Sequence, residues 1–173
     1  MSPLEIKSLV VDVPDFPKPG IVFKDITPVL ANPAAFKAAT DQLAEHAARL
    51  KCDAVLAIES RGFIIGAPLA QRLGLPLHLV RKRGKLPRAA ITVRYELEYG
   101  FDHLEMHSDA IRRGGRYLIV DDVIATGGTA AAVASVVAQQ GATVAACLFL
   151  IELKFLAGRE KLGALPVFSL ISY

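Results

Sequence analysis

Apolar and polar positions follow three different patterns along this chain, and each predicts a different element. Runs at residues 54–58, 117–120 and 143–151 are almost wholly apolar, which predicts strands buried inside a sheet. Residues 77–80 and 167–172 read as two further short strands. Behind Pro33, a residue suited to a first helical turn, Phe36, Ala39, Leu43, Ala47 and Leu50 recur at helical spacing. A second helical stretch follows 54–58 and ends at Leu73, where Gly74 and Pro76 stop it. Pro68 within it belongs in the first turn or marks a kink. A third helix covers about 127–140 and stops at Gly141, and a short one lies near 158–162. Residues 84–108 alternate instead: Leu104 and Met106 with His103, Glu105 and His107, and Tyr95, Leu97 and Tyr99 with Glu96 and Glu98. Two antiparallel strands around Gly100 follow from that. Pro14, Pro17, Pro19, Gly20 and Pro28 forbid long regular elements, so residues 15–28 read as an ordered loop.

Apolar strands alternating with helices predict an α/β fold: one domain over residues 1–173 with a mainly parallel, twisted sheet flanked by helices. Such sheets bind ligands beyond the carboxyl ends of their strands, so the residues after each strand carry the functional information. Composition narrows the classes. A hydrophobic fraction of 53% over 173 residues suits one full core. A net charge of +3 fits phosphate-bearing ligands but is too weak to argue for nucleic acid. Cys52 and Cys147 form neither a metal pair nor a disulfide framework, which favours reduced thiols in the cytoplasm. The longest apolar run, 144–151, is too short to span a bilayer, so no membrane partner is expected.

The most informative segment is LIVDDVIATGGT, residues 118–129. A buried strand delivers Asp121 and Asp122 to the sheet edge. A turn of Ala125, Thr126, Gly127, Gly128 and Thr129 then leads into a helix. Unpaired N–H groups at a helix start, aided by the helix dipole, favour an anion, and glycines let a phosphate come close. The paired aspartates would repel phosphate, but they can accept hydrogen bonds from sugar hydroxyls or hold hydrated magnesium. A ribose carrying a 5-phosphate meets all of these demands. Helix capping alone needs neither the glycine pair nor the second aspartate. The His103, Glu105 and His107 alternation is explained by an exposed strand face rather than by a metal site.

This arrangement resembles the phosphoribosyl pyrophosphate signature of the type I phosphoribosyltransferases. Five further segments resemble the adenine-using members in the same order: FPKPGIVFKDITP (16–28), SRGF (60–63), RKRGKLP (81–87), LEYG (97–100) and GREKL (158–162). The resemblance covers nearly the whole chain. It implies that residues of about 1–32 form a small base-binding hood, where Val22 packs on adenine and the Lys24 backbone reads its edge. Lys24 stands where some members carry arginine, which leaves a backbone role intact. It implies a pyrophosphate loop at Ser60 and Arg61, with an unusual cis peptide at Glu59–Ser60. Arg81, Lys82 and Lys85 would meet the same pyrophosphate, and in this family some of these basic residues reach across a homodimer interface. Residues of about 84–108 would form a mobile hairpin lid carrying Glu98 as the catalytic acid/base. Magnesium would be the cofactor, held mainly through phosphoribosyl pyrophosphate and water. The implied activity is transfer of the phosphoribosyl group to adenine. Two alternatives stand beside it: a sister enzyme for another base, and a non-catalytic regulator that senses phosphoribosyl pyrophosphate.

Overall fold

The computed structural model describes residues 1–96 and 101–173. Its frame is a seven-stranded sheet. Five strands run parallel, in the spatial order β4 (Leu77–Lys82), β3 (Ala54–Ile58), β7 (Arg116–Ile124), β8 (Thr143–Glu152) and β9 (Val167–Ser172). Beyond β4 the edge continues as an antiparallel pair, β6 (Phe101–His107) and then β5 (Ala90–Glu96). A separate two-stranded antiparallel sheet joins β1 (Val11–Pro14) to β2 (Val22–Asp25).

Strand periodicity divides the core into two layers. Val55, Leu118, Val120 and Leu148 face α3 (Pro33–Ala47) and α4 (Arg61–Leu73) on one side. Leu56, Ile58, Ile119 and Phe149 face α5 (Gly128–Gln139) on the other. All five residues of β3 are buried, as a strand covered on both faces requires. α3 is capped by the Asn32 side chain, which accepts from the Ala35 N–H at 3.1 Å, and it buries Ala39, Leu43 and Ala47 as its spacing predicted. α4 ends at Gly74 in the left-handed conformation. Leu104 and Met106 are buried from β6, as alternation predicted.

Three readings of the sequence need correction. Residues 15–28 are not all loop: β2 lies within them and the short α2 (Thr27–Leu30) begins at their end. Pro17 and Pro19 fall in the connection between β1 and β2, where no ladder N–H is needed, so they do not prevent the pairing. Pro68 is interior to α4, not in its first turn. β7 does not end at the two aspartates but carries them and continues to Ile124. A 3-10 turn at Lys154–Leu156 precedes the one at Gly158–Leu162. Among the described residues, no helix is long and apolar enough to cross a membrane.

Candidate active site

A cleft of about 620 Å³ opens where β2 faces the carboxyl ends of β3, β7 and β8. Its construction begins at β3. The chain leaves that strand through Glu59 and a cis Glu59–Ser60 peptide, and Ser60 then stands at the N-cap position of α4 without a side-chain capping bond. The first turn of α4 lies directly on β7 because residue 62 is glycine. A Cβ there would come 2.9 Å from the Val120 carbonyl oxygen and from Asp121 Oδ1. This approach lets the Arg61 guanidinium reach the carboxylate of Asp122, to which its Nε donates. The same guanidinium lies 5.3 Å from the centre of the Phe23 ring on β2, linking the two walls of the cleft.

A second, smaller hollow of about 90 Å³ sits against the turn from β7 into α5, lined by Asp121, Ala125, Thr126, Gly127, Gly128 and Thr129. Gly127 has φ +77°, and a Cβ on it would fall 2.1 Å from the Gly158 carbonyl oxygen. Gly158 in turn has no room for a Cβ, which would meet the Ala125 carbonyl oxygen at 2.2 Å. The turn is therefore clamped backbone to backbone against the 3-10 segment Gly158–Leu162. That segment is fixed by Arg159, which donates to both oxygens of the buried Glu152 at 2.5 and 2.7 Å. From β5, the Tyr95 hydroxyl donates to Asp102 at 3.2 Å.

The charges in the cleft are tightly managed. Burial and the neighbouring Asp122 raise the Asp121 carboxyl well above the usual carboxylate range. The Asp122 N–H donates to Asp121 Oδ1 at 2.8 Å. Burial pushes the Glu59 carboxyl up, but the Lys82 N–H at 2.8 Å, the Arg81 guanidinium at 3.3 Å and the charge of Lys85 together leave it below its ordinary value. Burial and Asp102 push the Tyr95 hydroxyl up to about 12. The Lys24 ammonium is turned onto Asp12 at 2.6 Å, while residue 24 still lines the cleft.

Of the residues singled out in the sequence, Val22, Lys24, Ser60, Arg61, Lys82, Asp121, Asp122 and Ala125 line the large cleft. Thr126, Gly127, Gly128 and Thr129 line the small hollow, which shares Asp121, Val123 and Ala125 with the cleft. Arg81 and Lys85 stand outside both linings, with Arg81 held by Glu59 and by the Lys85 carbonyl oxygen at 3.0 Å. Glu98 lies outside the described residues. The structure adds Ile21, Phe23, Glu59, Val123 and Leu153 to the cleft. Leu153 follows β8, so the rule that ligands lie beyond strand ends could have found it.

A family model described as a phosphoribosyl transferase domain matches residues 25–167. The chain is 52% identical over 170 residues to an adenine phosphoribosyltransferase of Carboxydothermus hydrogenoformans, covering 98% of this chain and 100% of that one. Among solved structures, the adenine phosphoribosyltransferase of Thermoanaerobacter pseudethanolicus superposes with a TM-score of 0.96 at 49% identity, covering 99% of this chain and 100% of that one. The Saccharomyces cerevisiae enzyme, solved with an imino-altritol bisphosphate and adenine, gives a TM-score of 0.90 at 42% identity over 97% of each chain.

Proposed function

We infer the chemistry from one premise: the chain belongs to the phosphoribosyltransferase family and stands among its adenine-using members. It transfers the 5-phosphoribosyl group of phosphoribosyl pyrophosphate to adenine, giving AMP and pyrophosphate, a purine-salvage reaction. The C1–O bond to pyrophosphate breaks and a bond from C1 to adenine N9 forms, while the N9 proton is lost. The observation that carries the assignment of roles is the junction of the two hollows. A pocket for a small anion meets a larger, partly apolar cleft at Asp121, Val123 and Ala125.

In this reading the N–H groups of residues 126–129 hold the 5-phosphate. The carboxylates of Asp121 and Asp122 accept from the ribose hydroxyls. Positive charge develops at C1 as pyrophosphate leaves, and Arg61 and Lys82 receive the departing negative charge. Arg61 can do so while its Nε stays on Asp122, since that bond leaves the N–H groups of the two terminal guanidinium nitrogens to meet the pyrophosphate. Adenine lies between Val22, the Lys24 backbone and the apolar side chains of Val123 and Leu153. Glu98 is the acid/base for the adenine imidazole proton. The hairpin of residues 84–108 covers the site and excludes water, which would otherwise hydrolyse the activated ribose. Within this hairpin, β5 packs against α5, the helix into which the phosphate turn leads.

The hard oxygen donors of Asp121 and Asp122 suit magnesium, and with Asp122 engaged by Arg61 they suit a hydrated ion bridged by water better than a stripped one. When bound, magnesium neutralises charge on the pyrophosphate. The working unit is a homodimer in the cytoplasm, with Arg81 and Lys85, outside their own cleft, placed to serve the partner's site. Incubation with phosphoribosyl pyrophosphate, magnesium and a panel of bases tests the assignment. AMP from adenine alone is expected. Turnover of guanine, xanthine or orotate in its place would support a sister enzyme, and binding without turnover would support a regulator. Light scattering that found an active monomer would remove the dimer.

A further inference from the structure

The wall of the cleft formed by β2 is not part of the main sheet, so something must hold it at a fixed distance from β8. We propose that Tyr173 is the positioning residue that sets this distance and thereby fixes the adenine pocket. The inference rests on the reading that residue 24 meets adenine through its backbone.

Tyr173 touches both walls. Its backbone is woven into the β8 side: its N–H donates to the Glu152 carbonyl oxygen at 2.9 Å, and its own carbonyl oxygen accepts from the Lys154 N–H at 2.9 Å. These two bonds flank Leu153, the residue that lines the cleft from β8. Its ring reaches the other wall, where the Lys24 ammonium lies 4.1 Å from the ring centre. The ammonium is also bonded to Asp12, the residue opposite Lys24 in the β1–β2 ladder, and the Lys24 side chain is only 11% exposed. Lys7 of α1 (Pro3–Lys7) places its ammonium 4.1 Å from the same ring centre and donates to the Ser172 carbonyl oxygen. One aromatic ring thus gathers a cation from β2 and a cation from α1, while its backbone holds the residues around Leu153. A lysine ammonium has no acceptor with which to read adenine's own donors. Pinned on an aromatic face, it instead limits where the residue 24 backbone can stand.

The test compares Tyr173→Ala, Tyr173→Phe and Lys24→Gln by steady-state kinetics with each substrate varied in turn. Loss of a partly desolvated cation–π contact corresponds to roughly a five- to thirtyfold rise in the KM for adenine. That rise is expected in Tyr173→Ala and Lys24→Gln, with the KM for phosphoribosyl pyrophosphate within twofold of the parent. Tyr173→Phe keeps the ring and the backbone and is expected to restore the parent KM for adenine. A general folding defect would move both KM values together and would overturn the proposal. So would an unchanged adenine KM in Tyr173→Ala and Lys24→Gln. Val22→Asp separates this failure from that of the underlying reading. It should abolish adenine binding by calorimetry, and if it does not, the pocket itself is misplaced and the proposal falls with it.

Discussion

The two ends of the cleft are built by opposite means. At the end we assign to phosphate the backbone does the work: β7 feeds a turn into α5, and Gly127 and Gly158 let two pieces of main chain touch where a Cβ would sit 2.1 or 2.2 Å from a carbonyl oxygen. At the end we assign to the base, side chains do it. β1 and β2 form a sheet of their own, tied to the rest through Lys24, Tyr173 and the Arg61–Phe23 contact. A backbone clamp tolerates almost no displacement, which suits an anion that must be met by several N–H groups at once. A side-chain tie can yield by tenths of an ångström, which suits a planar base that slides between apolar walls. The two designs should therefore fail differently when mutated.

The largest failure is expected at Gly127. Alanine there would suffer both from φ +77° and from the 2.1 Å approach to the Gly158 carbonyl oxygen, so the turn must move. Gly127→Ala should lose measurable binding of ribose 5-phosphate by calorimetry while adenine binding persists. Retention of ribose 5-phosphate affinity within threefold would show that the phosphate end is not a rigid clamp. Next in size is Glu98→Gln, which tests chemistry and neither end. General acid–base catalysis is typically worth about 10²–10⁴-fold, and single-turnover AMP formation should fall by that much with both substrates still bound. Glu96→Gln is the control. Equal rates in the two variants would leave positioning and electrostatics to account for catalysis.

The contrast between the ends also explains what could be read in advance. The phosphate end is written in consecutive residues, because Asp121 to Thr129 are neighbours in both chain and space, so a strand–turn–helix pattern with two glycines suffices. β3 and β9 were legible for a similar reason, since burial in a sheet leaves an apolar run at residues 54–58 and a compact run at 167–172. The base end depends on residues 12, 24 and 173, which no local pattern connects. β2 leaves no local signal because, among the described residues, the ladder that makes it a strand is with β1, which is as short as it is. The facing of Gly158 against Gly127 was equally hidden. The sequence marks both glycines, but only the fold puts one against the other.

A smaller effect is expected beneath the phosphate end, at Glu152. Its side chain is 8% exposed and takes both hydrogen bonds from Arg159, so Glu152→Gln should cost about 1–3 kcal/mol of stability by chemical denaturation. The hydrogen bonds from Arg159, the largest influence on it, hold the Glu152 carboxyl below its ordinary value. A depressed carboxyl contributes stability that is fully present above its unfolded-state pKa, about 4.3, and is lost as pH falls through the lower folded value. The parent should therefore lose stability on acidification below about pH 4 more steeply than Glu152→Gln. Parallel pH–stability curves for the two proteins would show that the ion pair does not support the clamp.

The smallest effect should come from Asp12, and it separates the two components of the base-end tie. Asp12 holds the Lys24 ammonium at 2.6 Å, but its side chain is 56% exposed. An ion pair with so wet a carboxylate is worth about 0–1 kcal/mol, so Asp12→Asn should raise the KM for adenine by less than about fivefold. The ring of Tyr173 can still hold the ammonium in that variant, which is why less is lost than on removing the ring. Salt distinguishes the components. Exposed charges are screened over about 10 Å at 0.1 M ionic strength and over about 3 Å at 1 M. Measured with saturating phosphoribosyl pyrophosphate, the ratio of adenine KM values between Asp12→Asn and parent should fall toward one as salt is raised. The ratio between Tyr173→Ala and parent should persist, because a contact between an ammonium and a ring at van der Waals distance leaves no room for screening ions. If instead the Asp12 ratio persists and the Tyr173 ratio collapses, the carboxylate is the principal anchor and the ring only its backing.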